Sequence, residues 1–258
     1  MKKLIIMFLV LVMVGSNLGV YAEDVNKMPP DEETLAKMRE NEAKQIPIQE
    51  IASMSEQELR RLHLAPLNEP RSTAATEYTV PTKAVMQSTT YYCGPAATLM
   101  ALYTAGAYGQ ISGSTDSAKQ DTLAAQLGTT TGTATVCIPD VMNSYTSRSR
   151  AWTSALWTTY NTFWNVLYFS KSNFSYGDAV IFCLDSQFLG YYEGYACVHF
   201  VTGTGLYLDN GSLADYGSIL MRLQDPHYDL DYYGTHTVPA EQLRKAIEDF
   251  HNNHNFVY

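Results

Sequence analysis

The sequence predicts an α+β domain, with helices first and an antiparallel sheet second. Three observations carry this. A run of strong helix formers, Ala96 through Leu102, opens directly after Cys93-Gly94-Pro95, and proline suits a first helical turn. A second helical run covers Ser117 to Leu127. Three strand-like runs then follow, Asp178–Leu184, Cys197–Leu208 and Ser218–Leu223, with turn-rich joins that favour antiparallel pairing. The chain of 258 residues, 46% of them hydrophobic, suffices for one full domain with extensions.

The N-terminus reads as a targeting segment. Lys2 and Lys3 precede an almost wholly apolar run, Leu4 to Val14, and Val20-Tyr21-Ala22 is a suitable cleavage site. Residues 1–22 are therefore expected to be a secretory signal peptide, too short for a stop-transfer helix. No cysteine follows the apolar run, so a lipoprotein anchor is not expected. The expected location is secreted or on the exterior of the cell envelope, with no stable membrane insertion after cleavage.

Residues 23–77 are rich in charge and hold no cysteine. Asp31 can cap a helix through Lys44, and Ser55-Glu56-Gln57-Glu58 has the capping-box pattern before Leu59 and Leu62. Pro66 and Pro70 punctuate the linker that follows. This stretch is read as a charged helical propeptide or as a spacer. The main domain is expected over 78–258.

Cys93 stands at the expected N-terminus of the first helix of that domain. Free backbone N–H groups and the helix macrodipole there stabilise a thiolate. The alternative use of a lone cysteine is as a small buried hydrophobe. A thiolate nucleophile needs a histidine, and the histidine needs an orienting group. Of six histidines only His199 lies inside a strand-like run, Ala196 to Gly203; His227 and His236 fall in a loop-like stretch, and His63, His251 and His254 in charged or polar segments.

The orienting group follows from register. Asp209-Asn210-Gly211-Ser212 is a turn signal. A hairpin centred near Ser212 sets Asp225 opposite His199, and Pro226 ends the returning strand. Asp209 lies ten residues along the strand from His199, roughly 30 Å away at about 3.3 Å per residue, so geometry favours Asp225. Gln87, six residues before Cys93, can offer an amide N–H to a developing oxyanion beside the backbone N–H groups of the helix.

This ordered set resembles the papain-like cysteine peptidase superfamily, and more closely its bacterial bacteriocin-processing (double-glycine) peptidase-like domains. The resemblance rests on Gln87 with Tyr92-Cys93-Gly94-Pro95-Ala96, on Tyr176-Gly177-Asp178-Ala179-Val180-Ile181, on His199-Phe200-Val201-Thr202-Gly203 and on Asp225-Pro226. It spans roughly residues 80 to 230. It implies a papain-like fold, with the cysteine helix packed on a sheet carrying the histidine and aspartate. It also implies Cys93 as nucleophile, His199 as general base, Asp225 as its orienting group and Gln87 as oxyanion donor. The stretch from His199 to Asp225 is longer than is usual in that family. No transporter domain follows, so fusion to an exporter is not expected.

Composition narrows the partners. A net charge of −9 disfavours nucleic acid and anionic membrane surfaces. The four cysteines, Cys93, Cys137, Cys183 and Cys197, form no CxxC pair, and with the histidines they lack ligand spacing, so neither metal nor cofactor is expected. A Cys183–Cys197 bridge and buried thiols both remain open. Nineteen tyrosines, clustered late, are read as cross-strand packing, with an aromatic substrate cleft as the alternative. Trp157, Asn161 and Trp164 share a helical face expected to pack. Two functions stand side by side: an exported cysteine peptidase acting on peptide, protein or cell-wall peptide, and a non-catalytic secreted domain binding such material in the same cleft.

Overall fold

The computed structural model describes residues 75–148, 151–155, 160–209, 211, 213, 219–248 and 255–258. The expected signal peptide, the two helices expected within 23–77, Trp157, Ser212, Tyr216 and the histidines at 63, 251 and 254 lie outside the described residues.

Among the described residues seven strands form one antiparallel sheet: β1 (Thr76–Thr79), β2 (Ser154–Ala155), β3 (Val180–Asp185), β4 (Val198–Leu208), β5 (Ile219–Asp225), β6 (Gly234–Pro239) and β7 (Phe256–Val257). Their order is β2-β7-β3-β4-β5-β6, and β1 pairs with the far half of β4. Among the described residues the helices are α1 (Cys93–Thr104), α2 (Asp116–Leu127), α3 (Ile138–Tyr145), α4 (Tyr160–Ser175) and α5 (Ala240–Glu248). The α+β expectation holds, but helices and strands interleave: β1 precedes the cysteine helix, and α4 and α5 follow strands of the sheet. Among the described residues no helix is long and apolar enough to cross a membrane.

α1 is buried from Gly94 to Leu102. A helix apolar on all sides belongs in a core, and its burial offsets its lack of an N-cap side chain. Thr202 on β4 donates its hydroxyl to the Ala97 carbonyl at 3.2 Å. At the other end, the Thr104 hydroxyl accepts the Ala179 N–H, just before β3, at 3.0 Å. These two bonds fix α1 along the sheet, so its N-terminus lies beside the start of β4. α2 starts one residue before the expected Ser117: the Thr115 hydroxyl accepts the Ala118 N–H, and Gly128 closes the helix in the left-handed region at φ 67°.

The β4–β5 hairpin differs from the expected register. Leu208 pairs with Ile219, so the turn centres beyond Ser212. A bulge between Gly203 and Gly205 shifts the pairing once more, leaving Thr202 opposite Gln224. Continued by one residue, this register sets Asp225 against Val201 rather than His199. The error is two residues, and a shift of two keeps every side chain on its face. Asp225 therefore reaches His199 diagonally, a separation that long side chains span.

β6, α5 and β7 had no counterpart in the sequence reading. β7 enters the sheet between β2 and β3, and Phe256 stacks on Phe182 at 5.3 Å. Trp164, expected to pack with Trp157, is 41% exposed and stacks on Tyr168 instead. Among the described residues the buried tryptophan is Trp152.

Candidate active site

Cys93 is the first residue of α1 and is half-buried. The first N–H groups of a helix have no intrahelical acceptor, so they point past Cys93 with the positive end of the macrodipole. The residue behind it is held tightly. A Cβ at Gly94 would fall 2.3 Å from Oγ1 and 2.5 Å from Cβ of Thr133. Thr133 is buried, and its hydroxyl is already bonded to Thr129 at 2.8 Å. Gly94→Ala is therefore expected to destabilise the fold by about 1–3 kcal/mol through overpacking. Denaturant midpoints check this, and an unchanged midpoint contradicts the tight contact.

His199 and Asp225 meet in the interior. The His199 Nε2 lies 2.8 Å from Asp225 Oδ1, with exposures of 3% and 0%. Asp225 accepts three further bonds: the His227 N–H at 2.8 Å on Oδ1, and the Tyr191 and Tyr192 hydroxyls at 2.9 Å each on Oδ2. A buried carboxylate is costly unless its lone pairs are met, and here four donors meet them. Burial pushes the Asp225 pKa up, but the His199 charge and these bonds outweigh it and hold it below 3.8. Burial pushes His199 down, and the Asp225 field, the Asp225 bond and a bond to Cys93 together lift it well above 6.5. With Nε2 committed to Asp225, Nδ1 is the ring nitrogen left for Cys93. A doubly protonated ring donates to both. Burial and the Asp225 charge push both tyrosine hydroxyls upward, so they remain neutral donors.

Residues 79–255 match the model of the Peptidase_C39 like family. The chain belongs to that family. The match runs from the last residue of β1 to the residue before β7, and so includes Gln87, Cys93, His199 and Asp225. A papain-like cysteine peptidase domain of the bacteriocin-processing kind is the fold that membership supports. A comparison with curated proteins finds no match.

Gln87 completes the four residues read from sequence. It is 4% exposed, and its backbone N–H donates to the Pro226 carbonyl at 2.7 Å. That bond ties the segment before Cys93 to the residue after Asp225. The side-chain Nε2 donates to the Thr89 carbonyl at 2.9 Å, while Oε1 is buried without a partner. An amide nitrogen carries two hydrogens, so one donor remains after Thr89 is served.

The tyrosines on this Peptidase_C39 like domain correct the sequence reading. Tyr207 lies on β4 opposite Leu220, as cross-strand packing requires, but the tyrosines nearest His199 are off the strands. Tyr191 and Tyr192 end a short 3-10 turn, and Tyr195, Tyr228 and Tyr232 lie in loops. Tyr192 packs edge-on to His199 at 6.1 Å and stacks on Tyr232 at 4.5 Å. His227 lies 5.4 Å from His199, ring to ring, and stacks on Tyr228. Burial first and the His199 charge second lower its pKa. The Gly190 N–H bonds to Gln242 on α5 at 3.0 Å, which fixes the loop bearing Tyr191 and Tyr192.

Cys197 lies two residues before His199 and carries a free thiol, 3.2 Å from the Ser186 hydroxyl, so the Cys183–Cys197 bridge is not formed. Burial pushes its pKa up. Among the described residues no group of three or more His, Cys, Asp or Glu side chains could hold a metal ion.

Sequence reasoning missed the two tyrosine caps on Asp225 and the role of His227. One signal existed: adjacent tyrosines in a loop between strands cannot both face one side of a sheet, so neither suits a cross-strand pair.

Proposed function

We propose that this protein is an exported thiol-dependent amide hydrolase. Cys93 is the nucleophile, His199 the acid and base, Asp225 the orienting carboxylate, and Gln87 with the N-terminal N–H groups of α1 the oxyanion donors. The observation that carries this reading is the buried His199–Asp225 pair, fully hydrogen-bonded on its far side and meeting a half-buried Cys93 on its near side.

The steps follow from that arrangement. The Cys93 sulfur forms a bond to the substrate carbonyl carbon, and the carbonyl electron pair moves to oxygen. The oxyanion is stabilised where it forms by donors already in place. The imidazolium of His199 gives its Nδ1 proton to the leaving amine as the carbon–nitrogen bond breaks. Water then attacks the thioester with His199 taking its proton, and the acid leaves as Cys93 is regenerated. Asp225 keeps the ring in one orientation throughout.

The basic and apolar start of the chain supports export, and with it a peptide, protein or cell-wall peptide substrate outside the cell. The test has two parts. Iodoacetamide at neutral pH is expected to label Cys93 at least about tenfold faster than Cys197, because only Cys93 meets an imidazolium at a helix N-terminus. A quenched-fluorescence peptide library is expected to be cleaved by the wild type. Equal labelling of the two thiols together with no cleavage rejects hydrolysis and leaves a peptide-binding domain.

A further inference from the structure

The segment that carries Gln87 has no ladder of its own. From Val80 to Tyr92 the chain is neither helix nor strand. Its local backbone must be fixed by other means if the Gln87 amide is to keep one direction. One side chain does most of this. Gln120, in α2, is 1% exposed. Its Oε1 accepts the Ser88 N–H at 2.9 Å, and its Nε2 donates to the Met86 carbonyl at 2.9 Å. The two backbone groups it holds flank Gln87 on either side. The Gln87 N–H itself goes to Pro226, so the backbone is pinned on both faces, by α2 and by the arm that carries Asp225.

We propose that Gln120 is a positioning residue for the oxyanion donor Gln87. It acts through the backbone of residues 86–88. The inference rests on the proposed hydrolase reading.

The chemistry selects glutamine. A donor and an acceptor must leave one side chain in one plane to meet an N–H and a carbonyl two residues apart. A carboxylate cannot donate, and an aliphatic chain of the same size does neither. α2 is a firm support for the clamp: Thr115 caps its start, and the buried Lys119 donates to the Ile111 carbonyl. Loss of the clamp leaves Met86 and Ser88 with unmet backbone groups and lets Gln87 swing. The oxyanion contact then weakens while the Cys93–His199 pair is untouched.

Two reactions of the same thiol separate these effects. Acylation by p-nitrophenyl acetate passes through an oxyanion, whereas alkylation by iodoacetamide does not. Gln120→Met is expected to lower acylation about tenfold, less than the roughly 10²-fold expected for Gln87→Ala, with alkylation of Cys93 within about twofold of wild type. If Gln120 works through Gln87, the double variant loses no more than Gln87→Ala alone. Gln120→Glu keeps the acceptor for the Ser88 N–H, should fall between wild type and Gln120→Met, and serves if Gln120→Met does not fold. Wild-type acylation in these variants, a parallel fall in acylation and alkylation, or losses that multiply in the double variant each overturn the positioning role. Acylation that persists in Cys93→Ala overturns the hydrolase reading itself, and that control precedes any Gln120 variant.

Discussion

Cys93→Ala and His199→Ala are each expected to reduce peptide hydrolysis by about 10⁶-fold, to the level left by binding and oxyanion donors alone. The expectation follows from where the nucleophile's substitutes lie. Another thiol, Cys197, lies just before the strand of His199, but burial raises its pKa and it is engaged with Ser186. It cannot replace a sulfur at a helix N-terminus. His199→Ala leaves Cys93 without a proton acceptor and leaves the amine without a donor. His227 is the nearest spare imidazole, 5.4 Å from His199 ring to ring, yet its Nδ1 accepts the Asp229 N–H and burial lowers its pKa. The two single variants and the double variant should lose the same amount, because nucleophile and base act as one unit. Initial rates on the best peptide from the library measure this. Hydrolysis at the wild-type rate by Cys93→Ala ends the nucleophile assignment.

What was legible in the sequence was what short-range chemistry dictates. The helix after Cys93 is written in its alanines and leucines, and the strand at His199 in its valines and phenylalanine. The ordering of glutamine, cysteine, histidine and aspartate needs no contact information. Asp225 was found by a hairpin whose pairing register is two residues off. It was still the right residue, because alternation returns the same face every second position. An error of one residue would have pointed to Pro226, which has no carboxylate, and failed.

What was not legible depends on contacts that sequence spacing does not carry. β7 is two residues long and has no periodicity to read. Its place between β2 and β3 is set by what it buries, Phe256 and Tyr258 against Phe182 and Phe169. Gln120 looks like any glutamine in a helix until the two backbone groups it holds are seen. Tyr191 and Tyr192 were assigned to a sheet on propensity, although propensity describes fit to a pleated surface and these residues lie off it. Their shared job is local and electrostatic, to donate to the far oxygen of one carboxylate.

That carboxylate has the second large effect. Asp225→Ala removes the acceptor of four hydrogen bonds at a site with no exposure. It strands two tyrosine hydroxyls and the His227 N–H, and leaves His199 with no counter-charge. The expected cost is about 3–5 kcal/mol, the scale for breaking a buried pair on one side. Asp225→Asn separates stability from charge, since it keeps the volume and one acceptor but not the negative charge. In the wild type the raised His199 pKa stabilises the fold below its unfolded value of 6.5, and that share is lost as pH rises through the folded value. The depressed Asp225 pKa stabilises the fold above 3.8, and that share is lost as pH falls through the folded value. The melting-temperature gap between wild type and Asp225→Asn should therefore be widest between those two values and narrow on either side. The same substitution removes what holds His199 protonated, so the basic limb of peptide hydrolysis, which needs the His199 proton for the leaving amine, should move to lower pH. A gap that does not vary with pH, or a basic limb that stays in place, would show that His199 does not depend on the Asp225 charge.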